Sequence, residues 1–462
     1  MTRPSLRSRL STLSTRSSRS GTPLALASSA FEDETLRLPV ELLLPIFSLA
    51  SSSCSSAAER VSLHATLRLV NRALSVLYSR RTYRSLHLAG GEELPELVVT
   101  LKTNPELAGL LEGVELRNMV SWESRKGLEK DWKKVRATAG GVEYLQLGDK
   151  DVRGKAWDGV RGDVLHKLEG LTTLRLVSLE LTYSQPPILF RRFRTPPPFS
   201  PVLPPYLRHL CLSSVSLRNV SSVSTIGSIW PDPQQCALTS LCLSDVQCAD
   251  PHVSDKDAVH HIRQLLVRCA PTLKALHYSR RRSPSQAAYP GSSVLDDLPL
   301  PSLQILSISL AHFPSTLFSP HLPTPPAPNL RYLTVTLCDL LTGPRTFVPR
   351  GLASYQAFHT IEAALRPPLP TSPSTSSTSL SLSPGQKRDP FPLKVLEIHK
   401  RHRAPFMEQE TTMYAKVEWR RKEVLQVARE VGVQEVRELV FEEVDVEESW
   451  RERVREVLGE KV

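Results

Sequence analysis

A chain of 462 residues exceeds what one ordinary core can hold, so several domains or an array of repeated units are expected. The net charge of +11 is uneven, because Arg3, Arg7, Arg9, Arg16 and Arg19 lie in the first 30 residues with no acid among them; the basic excess does not mark a nucleic-acid surface. No apolar run reaches membrane-spanning length, and seven cysteines without paired short spacings point to reduced thiols and to the cytoplasm or nucleus.

Residues 1–35 are rich in Ser and Arg and read as a tail too polar to fold. The same composition also fits a mitochondrial transit peptide, with Leu6, Leu10 and Leu13 on one face, but Pro4 and the many serines disfavour that helix.

Residues 36–82 read as a small helical module. Pro39 suits a first helical position, where its missing N–H costs nothing. Leu42, Leu43, Ile46 and Phe47 then recur at helical spacing, although Pro45 removes the bond back to Glu41. A second helix carries Leu63, Leu67, Val70, Leu74 and Leu77 at spacings of four and three, with Arg68, Asn71, Arg72 and Ser75 opposite.

Leu38-Pro39, Glu41-Leu42-Leu43 and Ile46-Phe47 resemble an F-box, and segments 67–74 and 83–88 resemble the sequences that link an F-box to leucine-rich repeats. The resemblance implies a module that docks on a Skp-type adaptor and, through it, on the cullin of an SCF-type ubiquitin ligase. Leu38, Pro39, Leu42, Leu43, Ile46 and Phe47 would make that contact by apolar burial. Pro45 and the insert Ser51–Ser56 depart from the pattern. From the residues alone, the alternative is that the two helices are the cap of a repeat array.

After residue 83 a motif recurs: apolar-x-x-apolar-x-apolar. Its eleven starts are Tyr83, Leu111, Val142, Leu171, Leu207, Leu238, Leu273, Leu303, Leu330, Leu393 and Val436, mostly about 30 residues apart. Self-similarity at that period predicts a solenoid. The x between the last two apolar positions points away from the face that its neighbours bury. In some units the pattern runs on, as at Val215/Leu217, Val246/Cys248, Cys338/Leu340 and Val444/Val446. It resembles the leucine-rich repeat, although only Cys338 fits the Asn/Cys position, so no regular asparagine ladder is expected.

Helices are predicted over 94–101, 259–269 and 353–365, the last through Phe358, Ile361 and Leu365. Proline-rich stretches at 186–205 and 314–328 interrupt the array, and 366–392 reads as a disordered insertion within it. At 408–462, Val417, Val424, Ala428 and Val431 suggest one helix. Trp450, Val454 and Val457 suggest a last helix, read as a polar-faced terminal cap.

No phosphate-binding loop, dinucleotide fingerprint or nucleophile elbow is present. Cys236, Cys242, Cys248 and His252 are spaced too widely for the usual structural zinc site and read as core or surface thiols. No catalytic residue, metal ligand or cofactor is assigned. Basic clusters at Arg191–Arg194, Arg280–Arg282 and His399–Arg403 read as solubilising loops.

The expected fold is therefore α/β: an F-box-like helical module (36–82), then a leucine-rich-repeat solenoid (83–462) with a parallel concave sheet and outer helices. The resemblance implies a non-enzymatic substrate-recognition subunit of an SCF ligase. An unknown protein target would lie on the x positions Arg175, Cys211, Cys242, His277, Ser307 and Thr334, with no nucleic acid and no membrane as partner. A repeat scaffold without a ligase role is the alternative.

Overall fold

The structure is a computed structural model that describes residues 46–47, 50, 63, 66–67, 83–118, 126–148, 159–161, 165, 167–182, 204, 206–218, 237–248, 255–279, 294–309, 312–314, 317, 326–336, 393–401, 411–441, 446–459 and parts of 355–366. The tail 1–35, Leu38, Pro39, Leu42, Leu43, Cys236, His252 and the insertion after residue 366 lie outside the described residues. The chain is α/β with long parallel strands. It divides into two compact units, Met1–Val160 with Lys167–Thr172, and Arg161–His166 with Thr173–Val462. Among the described residues no helix is long and apolar enough to cross a membrane.

Among the described residues of the first unit, three parallel strands lie in the order β1 (Ser85–Gly90), β2 (Gly113–Asn118) and β3 (Tyr144–Leu147). The apolar positions fall in register, Leu86 beside Val114 beside Leu145, and Leu88 beside Leu116 beside Leu147. Helices α1 (Leu94–Thr103), α2 (Pro105–Leu110) and α3 (Lys126–Thr138) connect them. Pro95 and Pro105 stand in the first turns of α1 and α2, where a missing N–H is harmless. Leu94, Leu97, Val98 and Leu101 form the buried stripe of α1, which lies against α3. Trp132 of α3 is buried, and Arg136 donates to the Glu169 carbonyl at 2.7 Å. A three-residue strand, β4 (Gly159–Arg161), falls where the two units divide.

Among the described residues the second unit carries eight long strands, all parallel. In spatial order they are β5 (Thr173–Val177), β7 (His209–Ser213), β9 (Ser240–Ser244), β11 (Ala275–Ser279), β12 (Ile305–Ser309), β13 (Tyr332–Thr336), β14 (Val395–Arg401) and β15 (Glu435–Phe441). Two apolar rows run across them: Leu174, Leu210, Leu241, Leu276, Leu306, Leu333 and Leu396, then Leu176, Leu212, Leu243, Tyr278, Ile308, Val335 and Ile398. All fourteen are buried, and each contributes roughly 1.5–3 kcal/mol of apolar burial. Backbone bonds step from strand to strand just before these rows. Thr239 donates to the Arg208 carbonyl, Lys274 to Thr239, Gln304 to Lys274, Arg331 to Gln304, Lys394 to Arg331 and Glu435 to Lys394. Side-chain asparagines are not needed to hold this register.

Strands β6 (Glu180–Thr182), β8 (Ser216–Arg218) and β10 (Gln247–Cys248) follow β5, β7 and β9, and β8 pairs in parallel with both β6 and β10. They match the extended motif read at Val215/Leu217 and Val246/Cys248. The turn into each passes through a residue of positive φ: Ser178 at 49°, Ser214 at 52° and Asp245 at 53°. Each of the three donates its N–H to the last residue of the next long strand, Ser213, Ser244 and Ser279.

Register corrects one expectation. The motif was read as Val436/Leu439/Phe441 in the last strand, but Val436 pairs with Leu396 and Glu438 with Ile398. The equivalent triad is therefore Val433/Val436/Glu438, three residues earlier. Helices α4 (Asp255–Cys269), α5 (Thr411–Glu430) and α6 (Val446–Leu458) complete the unit. Helical residues at 357–362 bury Ala357, Phe358 and Ile361.

Candidate functional site

Strand alternation puts the x positions on one face of the second unit's sheet. Arg175, Cys211, Cys242, His277, Ser307, Thr334, Glu397 and Arg437 form one continuous row, each residue beside the next in register. The sequence reading thus named six residues that the fold brings together. It expected that face to be open, and here the structure differs. Cys242 has no exposed surface, Ser307 1% and His277 3%, because α6 lies on the face. The predicted terminal cap is a cover for the sheet. The physical reason is the apolar stripe of α6: Trp450, Val454, Val457 and Leu458 meet Cys211, Cys242, Ala275, Ile305 and Tyr332 in one cluster.

Polar contacts fix the position of α6. Glu447 Oε1 accepts hydrogen bonds from Arg175, 3.2 Å from Nε and 2.9 Å from Nη2, and from the Cys211 thiol at 3.0 Å. The Trp450 ring lies tilted against the His277 ring, 6.0 Å between centroids, and His277 Nδ1 shares a hydrogen bond with Ser307 Oγ at 2.9 Å. Arg453 pairs with the carboxylate of Glu397 and stacks over the Tyr332 ring, 5.9 Å from its centroid. Thr334 donates to the other Glu397 oxygen at 3.2 Å, and His399 Nε2 lies 3.4 Å from it.

The charge states follow from these surroundings. Burial drives the Cys242 thiol well above its ordinary pKa, and the neighbouring Cys211 thiol adds to that. Burial would also raise the Glu397 carboxyl. The His399 hydrogen bond and the Arg453 charge outweigh it and hold the carboxyl down at about 2. Cys211, Cys242 and Glu447 each offer a ligand atom within 4.8 Å of the others. That set would suit a soft divalent cation, but only by displacing the thiol protons. The Arg175 guanidinium already pairs with the Glu447 carboxylate at 2.9 Å.

The sequence reading missed Glu397, Glu447, Trp450, Arg453 and Val454 as parts of the site. Glu397 was legible, since it is the x between Leu396 and Ile398. The spacing of Trp450, Val454 and Val457 showed an apolar stripe but not what it would cover.

Of the six residues expected at an adaptor contact, Ile46 and Phe47 are among the described residues. Ile46 and Phe47 are helical. Phe47 packs with Leu63 on buried Leu67, whereas Ile46 is 47% exposed.

No family model matches the chain. No curated protein matches it in sequence either.

Proposed function

We propose that the chain is a non-catalytic client-recognition subunit of an SCF-type ubiquitin ligase. Its N-terminal helices would dock a Skp-type adaptor, and a leucine-rich-repeat solenoid would carry the protein target. One observation carries the reading. Phe47 packs with Leu63 on buried Leu67, while its neighbour Ile46 is about half exposed and can be covered by a partner. The in-register leucine rows and the repeated positive-φ turns after β5, β7 and β9 support the solenoid reading. Catalysis would then be proximity, with the client held near the ligase's conjugating partner.

The experiment is a pull-down with the adaptor, comparing the wild-type chain with Ile46→Asp. Ile46 is exposed, so the substitution leaves the fold intact, and circular dichroism checks this. The reading expects capture by wild type and at least a tenfold loss in the variant. No capture by wild type, or equal capture by both, rejects it in favour of the scaffold alternative.

A further inference from the structure

We propose that the x-position face of the second unit is a helix-binding surface and that α6 is its built-in occupant. The partner it takes in trans is an amphipathic helix of matching chemistry. That helix carries an acid in its first turn, an aromatic residue three positions on, an arginine three further and an aliphatic residue next to it, as Glu447, Trp450, Arg453 and Val454 are arranged. The proposal deepens the recognition reading above by naming the class of client.

The composition of the face argues for this first. The two inward rows of the same strands are nearly all Leu, Ile and Val. The face under α6 is mixed: Arg175, His277, Ser307, Thr334 and Glu397 lie in one row across it, and Cys211, Cys242, Ala275, Ile305 and Tyr332 meet the apolar stripe of the helix. A helix needed only to close a core gains little from the buried ion pairs Arg175–Glu447 and Arg453–Glu397 that accompany this apolar contact. A surface that must stay soluble when uncovered keeps polar groups and concentrates its apolar contact in a few anchors. That is the pattern here, with Trp450 at 4% exposure and Val454 at zero as the anchors.

Charge complementarity fixes the direction of the occupant. The first turn of α6 brings Glu447 to Arg175 on β5, and its third turn brings Arg453 to Glu397 on β14. A carboxylate also suits the N-terminal turn of a helix. Reversing the helix would set like charges against each other at both ends. Buried pairs of this kind add little net affinity against an apolar substitute but reject wrong partners strongly. The outward residues Glu452, Arg455 and Glu456 are exposed, so the recognition lies on one stripe of the helix.

The test uses the full chain and a fluorescein-labelled peptide of residues 444–462, read by anisotropy. Wild type should bind the peptide weakly, because α6 competes in cis. Glu447→Lys/Arg453→Glu in the full chain weakens that competitor and should raise peptide affinity at least tenfold. Adding Arg175→Glu to the same chain, or Trp450→Ala to the peptide, should remove the gain. Equal affinity of wild type and variant, or a gain that survives Arg175→Glu, overturns the proposal. Hydrogen exchange on the wild-type chain decides it even if the variant does not fold. The amides of α6 should exchange at least tenfold faster than those of β9 and β11, and equal rates would sink it. Adaptor capture is independent of both measurements. Peptide binding without adaptor capture would keep the helix surface and discard the ligase role; the reverse would discard the surface alone.

Discussion

Arg175 and Glu447 stand 272 positions apart in the sequence, and their side chains meet at 2.9 Å beneath α6. Both are desolvated, so removing one strands the other. Glu447→Ala should cost the docking of α6 about 3 kcal/mol, a loss near 10²-fold in the protection of its amides from exchange. The paired replacement Arg175→Met/Glu447→Leu should recover most of that loss. A double-mutant cycle that found no coupling between the two positions would contradict this account.

The Glu397 carboxyl gives the fold a pH dependence whose sign can be worked out. Its folded pKa of about 2 lies below the reference 4.5, so the native state holds fewer protons than the unfolded state between those values. The stabilisation is complete above about pH 4.5 and is lost as pH falls toward 2. It amounts to about 3 kcal/mol. Facing the carboxyl are Thr334, His399, Arg437 and Arg453. In Glu397→Gln, urea midpoints measured from pH 6 to pH 2 should flatten over the lower half of that range.

The two C-terminal tryptophans should separate cleanly. Trp450 is buried under the sheet face, whereas Trp419 is 53% exposed and touches the Arg420 guanidinium. Trp450→Ala should destabilise by about 3–5 kcal/mol and Trp419→Ala by under about 1 kcal/mol, both read from denaturant midpoints at constant m.

Ser214 leaves β7 with φ 52°, a conformation that costs an L-residue about 1 kcal/mol or more. Glycine has no such cost, although it loses more chain entropy on folding. Ser214→Gly should therefore raise stability by about 0.5 kcal/mol, and Ser214→Val should lower it. Ser178→Gly should behave alike, because its turn repeats the geometry one strand earlier. A fall in melting temperature for both glycine variants would refute this reading of the turns.

Much of the strand layout was legible because alternation is a local property. Each apolar-x-apolar segment from Leu86 to Ile398 became a strand with its leucines inward and its x residues on the other face. The last strand was read three residues late. Val436, Leu439 and Phe441 satisfy the motif as well as Val433 and Val436 do, and only pairing with β14 distinguishes them. The helical residues at 357–362 and helix α4 were visible for the same local reason, a stripe at helical spacing.

The chemistry of the x face was not legible in the same way. Arg175 was expected to face a target and Cys242 to lie on an exposed strand face, because a residue's partners across the sheet lie tens to hundreds of positions away.

Periodicity in this chain settled which side chains enter the core and which leave it, since that follows from backbone geometry alone. It also settled that the helix carrying Trp450 and Val454 must bury one stripe. Where that stripe would rest was decided only in three dimensions. Glu447 finds Arg175 and Arg453 finds Glu397 because desolvated charges are tolerated only beside their opposites, and no local pattern encodes which strands will supply them.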